Sequence, residues 1–323
     1  MGIGRRFVVL TVCFVGLCSS TFVKADEYPS RMIKLVIGFG PGGQGDLTAR
    51  LIGQKLSTSL GKPVIVENMP GAGGINAALA VARAPADGHT ILLVSSQNAT
   101  SPSLFKSLPY DWKSAFTQVT LAGYSNYAIF VTKNSPFKTL SDLLAVAKSD
   151  PSKVSIGTIS AGSGANLAAL LFASKAGLSI TTVPYRTTGD VVTGVLSGQV
   201  PAGMDLVPGV LGMLQSGEIR ALAVSTDKRE AQLPEVPTIM ESGVIGYNVS
   251  AYNGFAVAAN TPNDIIMRLN KELVAALNDP DVTKRLSDLG VYPKTSTPEE
   301  FTKIFEAEVL QWRKVITDAN LSR

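Results

Sequence analysis

The chain has 323 residues, 45% hydrophobic and 17% charged, which suits a soluble globular protein of one large or two ordinary domains. Three of the 29 basic residues (Arg5, Arg6, Lys24) and no acidic one precede residue 26, leaving 29 − 3 = 26 basic against 25 acidic, net +1. That balance gives no argument for nucleic acid. Both cysteines, Cys13 and Cys18, also lie in that segment, so the remainder has no disulfide, thiolate nucleophile or cysteine-held metal.

Residues 1–25 read as a secretory signal peptide. Arg5 and Arg6 form a positive start and Phe7–Leu17 is an apolar run too short to span a bilayer. Val23-Lys24-Ala25 places small residues for a cut before Asp26, and bulky Leu17 before Cys18 argues against a lipoprotein site. The expected product is a soluble protein of an exported compartment.

From there, β-branched runs alternate with helical patterns. Strands are expected at Ile33–Phe39, Val64–Glu67, Thr90–Val94, Ala128–Val131, Val154–Gly157, Thr181–Pro184 and Ala221–Val224, with helices such as Leu47–Leu60, Gly74–Arg83, Leu140–Lys148 and Ala165–Lys175 between them. This is an α/β pattern with largely parallel sheets covered on both faces. Thr139 with Asp142, and Thr297-Pro298-Glu299-Glu300, mark helix starts; Thr261-Pro262 opens another helix, Asn263–Leu277. The last helix, Glu299 to about Ala319, carries Phe301, Ile304, Phe305, Val309, Trp312 and Ile316 on one side, a core stripe that braces the first domain. Two extended segments, Thr120–Phe130 and Tyr247–Val257, are the expected crossings between lobes. They give a discontinuous first lobe, 26–123 plus 250–323, and a second lobe, 124–249.

Glycine-rich turns follow several strands. Gly38-Phe39-Gly40-Pro41-Gly42-Gly43-Gln44-Gly45-Asp46 follows the first and opens a helix. Glu67-Asn68-Met69-Pro70-Gly71-Ala72-Gly73-Gly74 and Gly157–Asn166, with Ser163 and Gly164, repeat the arrangement, and Ser95-Ser96 end the third strand with hydroxyls. Glycine lets backbone N–H groups approach a ligand, and a helix N-terminus favours an anion. Any one such turn is most simply a helix cap; several at strand C-termini point to a carboxylate site. Gly38-x-Gly40-x-x-Gly43 with Glu67 also matches the dinucleotide fingerprint, so an exported dinucleotide-binding enzyme stands as the alternative. Asp46 and Asp205 are each either site residues or turn acceptors. The sole histidine, His89, reads as a surface turn residue; no catalytic triad or metal-ligand cluster is evident, so neither catalysis, cofactor nor metal is expected.

The chain carries Tyr28-Pro29-Ser30, Phe39-x-Pro41-Gly42-Gly43-x-x-Asp46, Gly61-Lys62-Pro63-Val64, Asp87-Gly88-His89-Thr90, Leu108-Pro109-Tyr110-Asp111, Val183-Pro184-Tyr185-Arg186 and Leu233-Pro234-x-Val236-Pro237-Thr238 in order. This array resembles the periplasmic solute-binding receptors of tripartite tricarboxylate transporters, the Bug receptors, over essentially the whole exported chain. The resemblance implies a two-lobed type II periplasmic-binding fold that closes on a small organic acid and presents it to a membrane permease, as a monomer. It places ligand contacts at Phe39, Pro41, Gly42, Gly43 and Asp46, at Asn68, Ser95 and Ser96, at Ser163, Gly164 and Asn166, and at Asp205. Asn166 stands where the family often has His, and Leu170 where it often has Glu, so the second-lobe side is less ionic and suits a less polar distal end.

Overall fold

The computed structural model describes residues 28–322; the expected signal peptide lies outside the described residues. In chain order the elements are β1 (Ile33–Ile37), α1 (Gln44–Leu60), β2 (Val64–Asn68), α2 (Ile75–Ala82), β3 (Thr90–Ser95), α3 (Ser96–Leu104) and β4 (Phe116–Thr132). There follow α4 (Leu140–Ser149), β5 (Ser155–Ile159), α5 (Gly164–Ala176), β6 (Thr181–Tyr185), α6 (Thr188–Leu196), β7 (Ala202–Leu206), α7 (Val207–Gln215) and β8 (Ile219–Val224). The chain ends with β9 (Ser250–Ala258), α8 (Asn263–Leu277), α9 (Pro280–Asp288), β10 (Tyr292–Pro293) and α10 (Pro298–Asp318).

The molecule is two-lobed because β4 serves two sheets. Its first part, Phe116–Asn126, pairs antiparallel with β9, which in turn pairs with β3; β1 and β2 complete that sheet in parallel. From Tyr127 onward β4 pairs instead with β7 and β8, and β5 and β6 extend the second sheet in parallel. The segment Thr120–Phe130, expected as an extended crossing, is continuous strand whose partners change between Asn126 and Tyr127. The chain returns at the same level: Val249 N–H donates to Ser225 in the second sheet, while Ser250 is paired with Asn126 in the first.

The central strands of both sheets are buried on both faces, as their apolar runs require. Leu35 and Ile37 pack under α1 and α8 with Leu56, Leu269 and Leu273, whereas Val36 points the other way into Ala78, Leu92 and Phe301. In the second sheet Ile129 and Val131 meet Leu143, Leu167 and Phe172, and Phe130 faces Val191, Val195 and Val210. Caps fix where the helices start. The Thr139–Asp142 and Thr297–Glu300 boxes form as expected, and Thr187–Asp190 adds a third at α6.

The last helix reaches further than a brace on the first lobe. Phe301, Phe305 and Val309 pack on the first sheet's core, while Trp312, Val315 and Ile316 join the core built around the second sheet. His89 also departs from expectation. It is buried, 5% exposed, with Tyr28 edge-on at 5.1 Å and its Nε2 accepting the Ser30 N–H at 3.2 Å. It supports the β3 turn from inside and is not a surface residue.

Candidate functional site

Helices α1, α3, α5 and α7 each begin where a strand ends, and their N-termini converge on one cavity of about 340 Å³. Gly43, Gln44 and Gly45 come from α1, Ser95, Ser96 and Gln97 from α3, Ser163, Gly164 and Ala165 from α5, and Asp205 and Leu206 from the start of α7. The first-turn N–H groups of a helix have no partner within it, and the aligned peptide dipoles leave about half a positive charge there. Gathered around one space, these termini offer partial positive charge to an anion, and no cationic side chain lies on the wall among the described residues.

The glycine turns that open α1 and α5 are each held by a side chain four residues on from a glycine. In the first, Asp46 Oδ2 accepts the Gly42 N–H at 2.9 Å and Arg50 Nε at 2.9 Å, and Oδ1 accepts Asn68 Nδ2 at 2.8 Å. Asn68 also donates to the Phe39 carbonyl at 3.0 Å. The Arg50 hydrogen bond, helped by Gly42 and Asn68 against the opposing effect of burial, draws the Asp46 carboxyl down to about 2. In the second, Asn166 Oδ1 accepts the Gly162 N–H at 3.0 Å, and its Nδ2 donates to Thr158 and Thr182. Gly42 and Gly162 both adopt positive φ, 82° and 79°, which is why glycine occupies each. The two lobes thus use one turn design, fastened by a carboxylate in one and an amide in the other.

The expected site residues accordingly divide. Phe39, Gly43, Ser95, Ser96, Ser163, Gly164 and Asp205 line the cavity. Asp46, Asn68 and Asn166 lie behind it as turn fasteners, and Pro41 and Gly42 are exposed on the turn, off the wall. Ser163 caps α5 through Asn166 N–H while donating to Ile159 O at 2.6 Å, and Ser96 Oγ accepts the Tyr252 N–H at 2.9 Å. The wall also includes Gln44, Ser125, Tyr127, Tyr252, Asn253 and Trp312, which were not singled out. All but Gln44 and Trp312 lie in the two crossing segments, whose mixture of aromatic, small and polar residues was the available signal. Trp312 gave none, since its spacing matches an ordinary core stripe.

The dinucleotide fingerprint has another explanation. A Cβ on Gly38 would lie 2.7 Å from Gly74 Cα, so that glycine lets the first two glycine turns touch. Glu67 pairs with Lys34 at 3.2 Å and is absent from the wall. The first sheet runs β2-β1-β3-β9-β4 with β9 antiparallel, unlike the all-parallel nucleotide-binding order.

Two expectations follow from the wall. A Cβ on Gly45 would sit 2.5 Å from the Phe39 ring, so Gly45→Ala should push that ring into the cavity. Alanine favours a helix by about 1 kcal/mol over glycine, so titration should show weakened ligand binding while thermal unfolding shows a retained fold. Trp312 Nε1 donates to Glu308, whose carboxyl burial lifts to about 6. A raised carboxylate contributes most below its unfolded value near 4.5, and that contribution is lost as pH rises through about 6. Glu308→Gln keeps the acceptor, and its unfolding temperature should vary less between pH 4 and 7 than that of the unaltered protein.

The family model described as "Tripartite tricarboxylate transporter family receptor" matches residues 48–321. Protein BugT of Bordetella pertussis is 32% identical over 320 residues, 98% of this chain and 98% of that one. Among solved structures, R. palustris Rpa4515 with adipate has a TM-score of 0.78 at 32% identity, covering 91% of this chain and 99% of that chain. MatC (Rpa3494) from Rhodopseudomonas palustris with bound malate has a TM-score of 0.74 at 30% identity, covering 90% and 100%. The glycine turns, two-sheet topology and cavity described above are found in a chain that matches the family model along most of its length. The chain belongs to the tripartite tricarboxylate transporter receptor family.

Proposed function

We propose that this chain is a periplasmic receptor that captures a small organic carboxylate in the cleft and delivers it to the permease subunits of a tripartite tricarboxylate-type transporter. The observation that carries the reading is the convergence of α1, α3, α5 and α7 N-termini on a single cavity. N–H and hydroxyl donors satisfy a carboxylate without a salt bridge. Adipate and malate in two relatives agree with that chemistry.

The role is binding without catalysis: a receptor must release its ligand unchanged. Residues 26–123 with 250–323, and 124–249, act as lobes that close about the two strands at Asn126 and Ser250. Asn126 is a suitable pivot. It donates to Glu230 at 2.7 Å and accepts the Ser250 hydroxyl at 2.9 Å, tying both crossings together. The protein works as an exported monomer, its signal peptide cut after Ala25.

A thermal-shift screen of mono-, di-, tricarboxylic and aromatic acids, with NADH as a control, tests this reading. A cognate acid at a hundredfold excess over Kd should add about 2.7 kcal/mol of stability. Stabilisation by NADH with no response to any acid would refute the reading.

A further inference from the structure

Two pockets lie back to back across β4. Tyr124 and Asn126 line a polar pocket of about 610 Å³, whereas Ser125 and Tyr127 line the cleft cavity. Successive residues of a strand point to opposite faces, so β4 partitions the two spaces. Helix α10 runs past both. Glu308 lines the polar pocket, and Trp312, one turn on along the same helix face, lines the cavity. Trp312 Nε1 donates to the Glu308 carboxylate, so one hydrogen bond joins the two pockets.

The groups around Glu308 do not neutralise it. From β10, Tyr292 lines the polar pocket and Lys294 holds its ammonium 5.6 Å over the Tyr124 ring. After β8, Arg229 pairs with Glu241 at 3.0 Å and Glu230 accepts from Asn126; Asp227 and Lys228 complete the pocket's charged groups. The residues one helical turn from Glu308 (Ile304, Phe305, Gln311 and Trp312) are uncharged, as is all of α3, which packs on α10. From α5, Lys175 lies with Lys314 in a separate groove. Burial therefore lifts the Glu308 carboxyl to about 6; the Trp312 N–H opposes that, and no cation does. The charge still reaches the cavity wall. Burial first, and the Glu308 charge as a further cause, hold the Tyr127 and Tyr252 hydroxyls above the ordinary tyrosine range; Asp205 also acts on Tyr127. An entering carboxylate brings another negative charge to that wall, in surroundings of low dielectric.

We propose that Glu308 is a positioning residue of the cleft, holding Trp312 on the cavity wall and taking up a proton as a carboxylate binds. The polar pocket lets that proton reach Glu308 without passing through the cleft. The inference rests on this cleft being the carboxylate site and adds to it a dependence on pH. Coupling is reciprocal: an anion that raises the proton affinity of Glu308 is itself bound more tightly, by the same factor, when Glu308 is protonated.

Two measurements test it. In Trp112→Phe, Trp312 is the remaining tryptophan, and its emission in the ligand-free protein should titrate with a midpoint at about 6. Adding Glu308→Gln, which keeps the acceptor without the charge, should flatten that titration. Calorimetry with adipate, malate and the other acids of the screen should show affinity rising roughly three- to tenfold between pH 8 and 5.5. Protonation of the acid itself acts in the opposite sense and cannot imitate the trend. Glu308→Gln should bind at every pH about as tightly as the unaltered protein does at pH 5.5, and Glu308→Leu, without the acceptor, should bind more weakly than Glu308→Gln. A flat Trp312 emission, an affinity that does not rise over this range, or a rise that survives Glu308→Gln, as titration of the buried Asp205 would produce, overturns the proposal while the carboxylate reading stands. The pH trend of the unaltered protein decides even if a variant fails to fold. Failure of every acid to bind would instead overturn the carboxylate reading itself, and the proposal with it.

Discussion

Phe301→Ala is expected to cost about 3–5 kcal/mol of stability, a large share of the roughly 5–15 kcal/mol that holds a protein folded. Phe301 is fully buried at the start of α10, and its ring fills the space that a side chain at Gly254 would occupy. A Cβ there would lie 2.2 Å from the Phe301 ring. Tyr252 stands edge-on to the same ring at 5.9 Å. Removing the ring leaves a cavity that β9 cannot collapse into, because β9 is paired on both sides by β3 and β4. The effect should extend to the site. The second half of α10 supplies Trp312 to the wall, so a loosened helix should change tryptophan emission and ligand affinity as well as the denaturation midpoint. A loss below about 1 kcal/mol would mean that α10 is not the element tying the two cores together.

Asp46→Ala is expected to lower stability by about 2–3 kcal/mol and to weaken ligand binding by roughly tenfold or more. The carboxylate is not part of the cavity wall, yet it accepts from Gly42, Asn68 and Arg50 and so fixes the turn that presents Gly43 and Phe39. The pH dependence has a definite sign. The Asp46 pKa is depressed from 3.8 to about 2, chiefly by Arg50, so its contribution is complete above pH 4 and is lost as pH falls through about 2. Screening around half-exposed Arg50 reduces that contribution to about 1–2 kcal/mol. Acid titration of stability should therefore be shallower in Asp46→Ala than in the unaltered protein between pH 5 and 2. Equal slopes would place the turn's restraint elsewhere.

Much of the first sheet was legible because its strands are short β-branched runs followed by glycine and a helix pattern. Ile33 opens β1 and Val64 opens β2 where expected, and Thr139 and Thr297 cap the helices they were assigned. What escaped was long-range. Nothing local distinguishes Thr120–Phe130 as one strand shared by two sheets, because the change of partner at Asn126 depends on segments roughly 80 to 130 residues away. Asp46, Asn68 and Asn166 were recognisable as polar residues near glycine turns, but a side chain that fastens a turn and one that faces a ligand have the same sequence signature. Only the geometry separates them: Asp46 is turned into Arg50, and Asn166 into two threonine hydroxyls. Trp312 was hidden for the opposite reason. A helix stripe gives its residues a common face, but not the place along the helix where that face passes from core to cavity.

The central claim is that helix N-termini at the strand ends grip a carboxylate in the cleft. A crystal structure with the most strongly stabilising acid tests it directly. The account predicts carboxylate oxygens within hydrogen-bond distance, directly or through one water, of the backbone and hydroxyl groups at Gly43–Gly45 and Ser95–Gln97. An acid bound outside this cavity, for instance in the polar pocket around Glu230, Tyr292 and Lys294, would contradict it.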